Sequence, residues 1–357
     1  MAKRGARRVT ISDIAERAGV SKGAVSYALN NRPGLSDETR RRILAIAQEL
    51  GWYPNRAARA LSVARADACG LVLARPAKTL AIETFFMEFM AGVESALSRR
   101  SVALMVQLVE DLPGEIAVYR RWWAEHRVDG VLVVDPRVDD PRFGELERLG
   151  LPAVAVGGPV RDGSLPCVWH DETGSVVEVV RYLAALGHER IARVAGLPDF
   201  LHTRARTSAF RRAARELALA AEVVGTDFTP ESGAQETRRL LSEPSPPTAI
   251  VYDSAVLAVT GLGVAQQMGF AVPEDVSIVA WDDSLMCRVV HPPLTAVARD
   301  IAAYGEAAAL RLLEQIEGSR TGNVEIPRGT LVTRASTAPP ATGAATRRAR
   351  RQSCRSR

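Results

Sequence analysis

At 357 residues the chain is longer than a single domain of ordinary size, and 47% hydrophobic with 24% charged residues is the composition of a soluble globular protein. No stretch approaches the roughly 18 consecutive apolar residues of a membrane-spanning helix, and no apolar signal-peptide segment follows the basic N-terminus. These features predict a cytoplasmic protein with no membrane partner. The four cysteines are widely spaced without a Cys-x-x-Cys pair, so we expect no disulfide framework, no metal site and no other cofactor.

Charge is distributed unevenly along the chain. Residues 1–65 contain thirteen Lys or Arg against five Asp or Glu, a net charge of +8. Residues 341–357 add six Arg, whereas the intervening residues carry a net charge of −9. A small basic region attached to an acidic body is expected when one small domain meets the phosphates of nucleic acid.

The first predicted elements are two short helices joined by a tight turn, within residues 9–30. The first helix covers residues 11–18, Gly19 provides the turn, and Ser21 caps a second helix that extends through Leu29. In such a helix-turn-helix the first helix supports the second, whose N-terminal residues can enter the major groove of DNA. A third helix is predicted over residues 36–50, before Gly51 and the following proline end the helical region.

Short apolar runs alternate with amphipathic helices in the remainder of the chain. The predicted strands are residues 69–74, 102–108, 130–135, 152–156, 191–196, 248–252 and 276–281. The predicted helices are residues 85–99, 115–126, 175–186, 205–217, 255–268 and 302–317. Fully apolar strands that alternate with helices favour parallel sheets covered on both faces, so the predicted fold class is α/β, with an all-α head and a doubly wound body.

Three motifs of the head resemble the lactose/galactose repressor family, also called LacI/GalR. They are Val-Thr-Ile-Ser-Asp-Ile-Ala at 9–15, Gly-Val-Ser at 19–21 and Tyr-Pro-Asn at 53–55, and the resemblance extends to about Val332. It implies a DNA-binding transcriptional repressor, not an enzyme, that binds a palindromic double-stranded operator as a homodimer in the cytoplasm, associated with the nucleoid. It also implies a body like the type I periplasmic binding proteins, in which two parallel-sheet subdomains enclose a small-molecule effector.

The resemblance assigns DNA contacts to the head and to a hinge helix at about residues 55–62. Lys22, Gly23 and Tyr27 match positions that read base edges, and Leu61 matches a leucine that family members insert into the central minor-groove step. The full implied set is Thr10, Ser21, Lys22, Gly23, Ala24, Ser26, Tyr27, Asn30, Tyr53, Asn55, Arg56, Ala58 and Leu61.

The short polar link at residues 62–67 and the Ala/Pro/Thr-rich composition beyond Thr337 indicate the domain boundaries. The head with its hinge is expected at 1–67, the effector-binding and dimerisation domain at 68–337, and a disordered basic tail at 338–357. Within the body, one subdomain is expected to combine about 68–168 with 298–322, and the other 169–297 with 323–337. The tail contains no leucine heptads, so assembly is expected to stop at the dimer.

Four residues are candidate effector contacts. Asp282 directly follows the predicted strand 276–281, and a carboxylate at a strand end can accept paired hydroxyls of a sugar. The resemblance adds Arg206 as a bidentate donor and Trp169 as an aromatic residue of the pocket. Asp253 follows the strand 248–252, but it is also suited to capping the next helix.

The sequence leaves other readings open. The effector is expected to be a carbohydrate, but a purine or other nitrogen-rich molecule is an alternative because related repressors bind nucleobases with the same fold. A solute-binding protein and an α/β enzyme are alternatives from other classes. If the protein were an enzyme, Gly261-Leu262-Gly263 would begin a dinucleotide-binding Gly-x-Gly-x-x-Gly loop. However, Gln266 replaces the third glycine of that motif, and the segment lies inside a predicted helix.

Overall fold

The computed structural model describes residues 9–30, 32–52, 65–75, 82–158, 160, 165–319 and 322–341. The chain divides into two compact units, Met1–Ala66 and Asp67–Arg357, which we call the head and the body. Among the described residues no helix is both long enough and apolar enough to cross a membrane.

The described part of the head consists of three helices, α1 (Ile11–Ala18), α2 (Lys22–Leu29) and α3 (Asp37–Glu49). This confirms the predicted helix-turn-helix and the helix that follows it. Gly19 ends α1 in the left-handed conformation (φ +65°), which favours glycine, and Ser21 caps α2. Small and branched apolar side chains pack where the helices meet, namely Ile14, Ala15, Ala18, Val25, Ala28, Ile43 and Ala47.

The first subdomain of the body contains a six-stranded sheet in the order β11-β5-β4-β3-β1-β2, with all neighbours parallel. Its strands are β1 (Ala68–Ala74), β2 (Ala103–Val109), β3 (Gly130–Val134), β4 (Ala153–Val156), β5 (Cys167–His170) and β11 (Val324–Ile326). Its helices are α4 (Thr84–Ser98), α5 (Leu112–Ala124), α6 (Pro141–Leu149) and α12 (Ile301–Ile316).

The second subdomain contains a sheet in the order β12-β10-β9-β8-β6-β7, parallel except for the pair β10–β12. Its strands are β6 (Arg190–Ala195), β7 (Ala220–Gly225), β8 (Ala249–Tyr252), β9 (Ser277–Trp281), β10 (Thr295–Ala298) and β12 (Thr330–Val332). Its helices are α7 (Glu172–Ala185), α8 (Leu201–Glu216), α9 (Pro230–Leu241), α10 (Ala255–Gln267) and α11 (Leu285–Val289). The predicted class, α/β with two parallel-sheet subdomains, is confirmed.

The chain passes between the subdomains three times, after β5, after β10 and after β11. These crossings differ from the expected subdomain boundaries. Trp169 belongs to β5 and therefore to the first sheet, and Val324–Ile326 pairs with β5 rather than joining the second subdomain. The physical reason is that the backbone of β11 pairs with the edge strand β5 before the chain crosses to β12.

The C-terminal segment stays attached to the body further than the predicted tail boundary at 338. The backbone N–H of Ala338 donates to Ser277 Oγ at 3.1 Å, and that hydroxyl donates to the Ala338 carbonyl at 3.2 Å. These two bonds add the chain to the start of β9, so Ala338 is part of the body. Residues 342–357 lie outside the described residues.

Candidate functional site

One face of α2 is the first candidate site. Lys22, Gly23 and Tyr27 are exposed, whereas Val25 and Ala28 are buried in the core of the head. Tyr27 is 44% exposed. The buried face fixes the orientation of α2, and its exposed face remains available to a partner such as the major groove.

Three other predicted DNA contacts also stabilise the ends of the helices. Ser21 Oγ accepts a hydrogen bond from the backbone N–H of Ala24 at 3.1 Å, and Thr10 caps α1. Asn30 Nδ2 donates to the carbonyl of Ser26 at 2.9 Å at the end of α2. Thr10, Ser21 and Asn30 are exposed, and Ala24 and Ser26 are half-buried.

The remaining DNA contacts belong to the hinge. Tyr53, Asn55, Arg56, Ala58 and Leu61, and with them the hinge helix predicted at about 55–62, lie outside the described residues. Their roles stay predictions.

The second candidate site is a cavity of about 60 Å³ between the two subdomains of the body. Its walls come from the carboxyl ends of the strands in both sheets, where the parallel α/β fold presents ligand-binding groups. Three of the four predicted effector contacts, Arg206, Asp253 and Asp282, lie on these walls.

Arg206 extends from α8 and is only 4% exposed. Its Nε donates to Glu172 Oε2 at 2.7 Å, and its guanidinium lies over the ring of Trp281, 4.3 Å from the centroid. The ion pair and the cation–π contact fix the orientation of the guanidinium, so it is preorganised to donate hydrogen bonds to a ligand.

Arg299 connects the second sheet to the first subdomain, because it lies on the crossing between β10 and α12. It donates from Nη1 to Glu172 Oε1 at 2.9 Å and from Nε to Asp282 Oδ1 at 2.6 Å. Burial opposes ionisation of Glu172, but the charges of Arg206 and Arg299 outweigh burial and hold the pKa of Glu172 well below its usual range. The cavity wall therefore contains a continuous chain of ion pairs that reaches an interdomain crossing.

Asp253 has a structural partner behind the cavity wall. Its two carboxylate oxygens accept hydrogen bonds from Arg193 Nε at 2.8 Å and Nη2 at 2.6 Å, and both side chains are almost completely buried. The alternative role of Asp253 as a helix cap is wrong, because the Ser254 side chain caps α10 by accepting from the N–H of Leu257. Asp253 thus lies on the cavity wall and also forms a buried ion pair with Arg193.

Arg75, directly after β1, links the two subdomains across the cavity. Its guanidinium lies 5.4 Å from the ring centroid of Phe200 and 5.0 Å from that of Phe228, both in the second subdomain. Within its own subdomain Arg75 Nη2 donates to Asp135 Oδ2 at 2.6 Å.

His202 also lines the cavity. Burial, with a contribution from the charge of Arg206, lowers the pKa of His202 to about 4, so its imidazole is neutral at physiological pH.

Trp169 was predicted to line the effector pocket, but it is not among the residues that line this cavity. Successive side chains of β5 alternate between the two faces of the sheet. Val168 packs in the cluster around α12, whereas Trp169 packs on the opposite face against the cluster that contains Val133 and Cys167. Trp169 thus packs on the face of the sheet that α5 and α6 cover, and its role as an effector contact stays a prediction.

Several wall residues were not predicted. Glu83, Asp135, Glu172 and Arg299 all line the cavity. Asp135 directly follows β3, so the strand-end rule that selected Asp282 would also have selected it. Glu172 and Arg299 follow β5 and β10, two strands that the sequence analysis did not predict, and Glu83 precedes α4 without any motif.

Comparison with known proteins identifies the head and the body. The family model for bacterial regulatory proteins of the lacI family matches residues 10–55, and that for a periplasmic binding protein-like domain matches residues 180–337. Among characterised relatives, the HTH-type transcriptional regulator AglR of Rhizobium meliloti is 35% identical over 93% of this chain and 95% of its own length. The HTH-type transcriptional regulator CelR of Thermobifida fusca is 33% identical over 90% of this chain and 95% of its own length.

Solved structures of similar proteins have the same architecture. A CelR–cellobiose complex is 30% identical with a TM-score of 0.71, and the match covers 92% of this chain and all of that one. A lac repressor dimer bound to operator and the anti-inducer ONPF is 25% identical with a TM-score of 0.82, over 93% of this chain and all of that one. Since these relatives are transcriptional regulators, the enzyme and solute-binding alternatives do not hold. The chain belongs to the LacI family of DNA-binding transcriptional regulators.

Proposed function

We propose that this regulator represses transcription by binding a palindromic operator as a homodimer, under the control of a small molecule in the body cavity. The observation that carries the proposal is the exposed face of α2, where Lys22 and Tyr27 project from a helix whose other face is buried. One recognition helix reads too few base pairs for specificity, and two helices related by a two-fold axis double the site. A repressor of chromosomal genes acts in the cytoplasm, associated with the nucleoid.

The proposed effector is a carbohydrate or a related polyol. The cavity wall carries carboxylates that accept hydrogen bonds from hydroxyls and guanidiniums that donate to them, and Phe85 and Phe228 offer apolar ring faces. The CelR relative binds cellobiose in its solved complex. A purine is the second candidate, since a relative 29% identical over 87% of this chain is named PurR.

The ion pairs at the cavity couple effector binding to operator affinity. An effector that hydrogen-bonds Arg206 and Asp282 competes with their contacts to Glu172 and Arg299. Because Arg299 lies on a crossing between the subdomains, a change in its contacts favours a different angle between them. In the dimer this angle sets the spacing of the two recognition helices, and the effector thereby releases the operator or promotes its binding.

The test is selection of genomic DNA fragments with the purified protein, followed by footprinting and calorimetry. We expect a footprint with two symmetric half-sites and an affinity that falls steeply with salt. We also expect a neutral sugar, tested against a panel of sugars and purines, to change operator affinity. A single asymmetric half-site contradicts the dimeric mechanism, and tight binding of a purine without any response to sugars contradicts the carbohydrate effector.

Replacement of Lys22 or Tyr27 by alanine should change which operator sequences the protein prefers. Each substitution removes a side chain that reaches base edges, which costs about 1–3 kcal/mol of discrimination at the affected base pairs. The measurement is binding to a set of operators with single base-pair changes. Arg42→Ala is the control, because it removes an exposed positive charge from α3, outside the recognition helix. Preferences that shift equally in Arg42→Ala would show that α2 does not read the bases.

A further inference from the structure

Glu83 lies immediately before α4 and lines the cavity, but it does not act as a helix cap. Its side chain makes no capping hydrogen bond to α4 and is 14% exposed. The Oε2 atom is buried and has no hydrogen-bond partner among the described residues. The nearest cationic atom is Arg75 Nη1 at 3.9 Å, which is beyond hydrogen-bond distance.

The other carboxylates of the cavity wall all have close arginine partners. Asp135 accepts from Arg75 at 2.6 Å, Glu172 from Arg206 at 2.7 Å, Asp282 from Arg299 at 2.6 Å, and Asp253 from Arg193 at 2.6 Å. Within the described part of the cavity wall, Glu83 is thus the carboxylate without a charge-assisted hydrogen bond. A buried carboxylate oxygen without a hydrogen bond costs free energy, because it has lost its contacts to water and has gained no donor in exchange.

The charge of the wall also restricts what can enter. Five carboxylates and three arginines line the cavity. Burial raises the pKa of Glu83 to about 7, and the negative charges of Asp135 and Asp282 add to this while Arg75 acts against it. An effector that carries a carboxylate or phosphate would add another negative charge beside Glu83, whereas a neutral hydroxyl would supply the missing donor.

We propose that Glu83 determines effector specificity, because its free carboxylate oxygen accepts a hydrogen bond from a neutral hydroxyl and its charge excludes acidic effectors. The inference rests on the proposed function, since it assigns a role within the same effector cavity. It restricts the effector to neutral polyhydroxylated molecules and excludes uronic acids and sugar phosphates.

The test is calorimetry of the full chain and of Glu83→Ala and Glu83→Gln with cellobiose, maltose, sucrose, glucuronate and glucose 6-phosphate. The unmodified protein should bind one of the neutral sugars and neither anion. Glu83→Ala should weaken that binding by about ten- to hundredfold, the effect of a hydrogen bond to a charged group, and Glu83→Gln should weaken it less. Glu88→Gln is the matched control, because Glu88 is an exposed residue of α4 outside the cavity wall.

A pH series separates this role from a merely structural one. Since ionised Glu83 accepts the hydroxyl better, and its pKa is about 7, affinity should rise roughly tenfold between about pH 6 and pH 8. The pKa of Asp135 and that of Glu172 are held below their usual values, the pKa of His202 is lowered to about 4, and those of Arg75, Arg299 and Tyr304 are raised. The other charged groups that face the cavity are Arg206, Asp253 and Asp282. In Glu83→Gln the affinity should be nearly independent of pH over this range.

The outcomes distinguish the two proposals. Equal sugar affinity in the unmodified protein and Glu83→Ala, or an unchanged pH dependence in Glu83→Gln, overturns the role of Glu83 alone. Tight binding of glucuronate or glucose 6-phosphate by the unmodified protein also overturns it. Binding of none of the neutral sugars overturns the carbohydrate effector and the role of Glu83 with it. Thermal unfolding of each variant checks that it is folded.

Discussion

Asp253→Ala should lower the free energy of unfolding of the body by about 3–5 kcal/mol, the cost of leaving one partner of a buried ion pair without the other. Arg193 is 1% exposed, so water cannot replace the lost carboxylate. Burial already lowers the pKa of Arg193, and the charge of Asp253 counteracts this effect. The measurement is urea unfolding of the purified protein, followed by circular dichroism.

Two further variants test the cause of that loss. Glu306→Ala removes the partner of Arg99 in an exposed ion pair on α12, and it should change stability by at most about 1 kcal/mol. The double variant Arg193→Met with Asp253→Leu replaces the buried charges by apolar side chains and should recover most of the lost stability. If Asp253→Ala were no more destabilising than Glu306→Ala, the buried pair would not stabilise the body.

The head was predictable because its signals are local. Ser21 and Ser36 follow turns and precede helices in the sequence, and each side chain caps the helix expected there. Gly19 adopts the left-handed conformation that the predicted turn requires. Capping and turn formation depend on a few neighbouring residues, so the sequence alone contains the information.

The body was predictable where strands are central and fully buried. All residues of β3 and β8 are buried, and such strands are continuous apolar runs. By contrast, β7 is an edge strand with exposed residues, and β11 has only three residues. Strands of this kind lack an apolar run, and they form because a neighbouring strand offers backbone partners. This is why the predicted subdomain boundaries differ from the observed crossings.

The cavity could be predicted only in part. Asp282 follows a predicted strand, and Arg206 was assigned by family resemblance, and both lie on the wall. Trp169 was also assigned by resemblance, which gives a position but not the face of the strand, and its side chain packs on the face opposite Val168. Glu172 and Arg299 meet only in the folded chain, since they are far apart in sequence and each adjoins an interdomain crossing.

Asp282→Asn should weaken effector binding by about ten- to hundredfold, because it removes a charged acceptor from the cavity wall. Asp282 has a φ of +69°, a left-handed conformation that asparagine adopts more readily than alanine. Asparagine therefore tests the charge without straining the backbone. Arg299 keeps its hydrogen bond to Glu172 in this variant, so the protein should remain folded. The measurement is calorimetry with the sugar identified by the panel.

The neighbouring carboxylate is the control for this prediction. Asp283 accepts hydrogen bonds from Arg334 at 2.8 and 2.7 Å and does not line the cavity. Asp283→Asn should therefore lower thermal stability without changing sugar affinity, whereas Asp282→Asn should weaken sugar binding. Operator affinity without effector should stay the same in Asp283→Asn, because Asp283 does not line the cavity. Full sugar affinity in Asp282→Asn would remove Asp282 from the effector site, and equal losses in the two variants would point to a general distortion of the loop after β9.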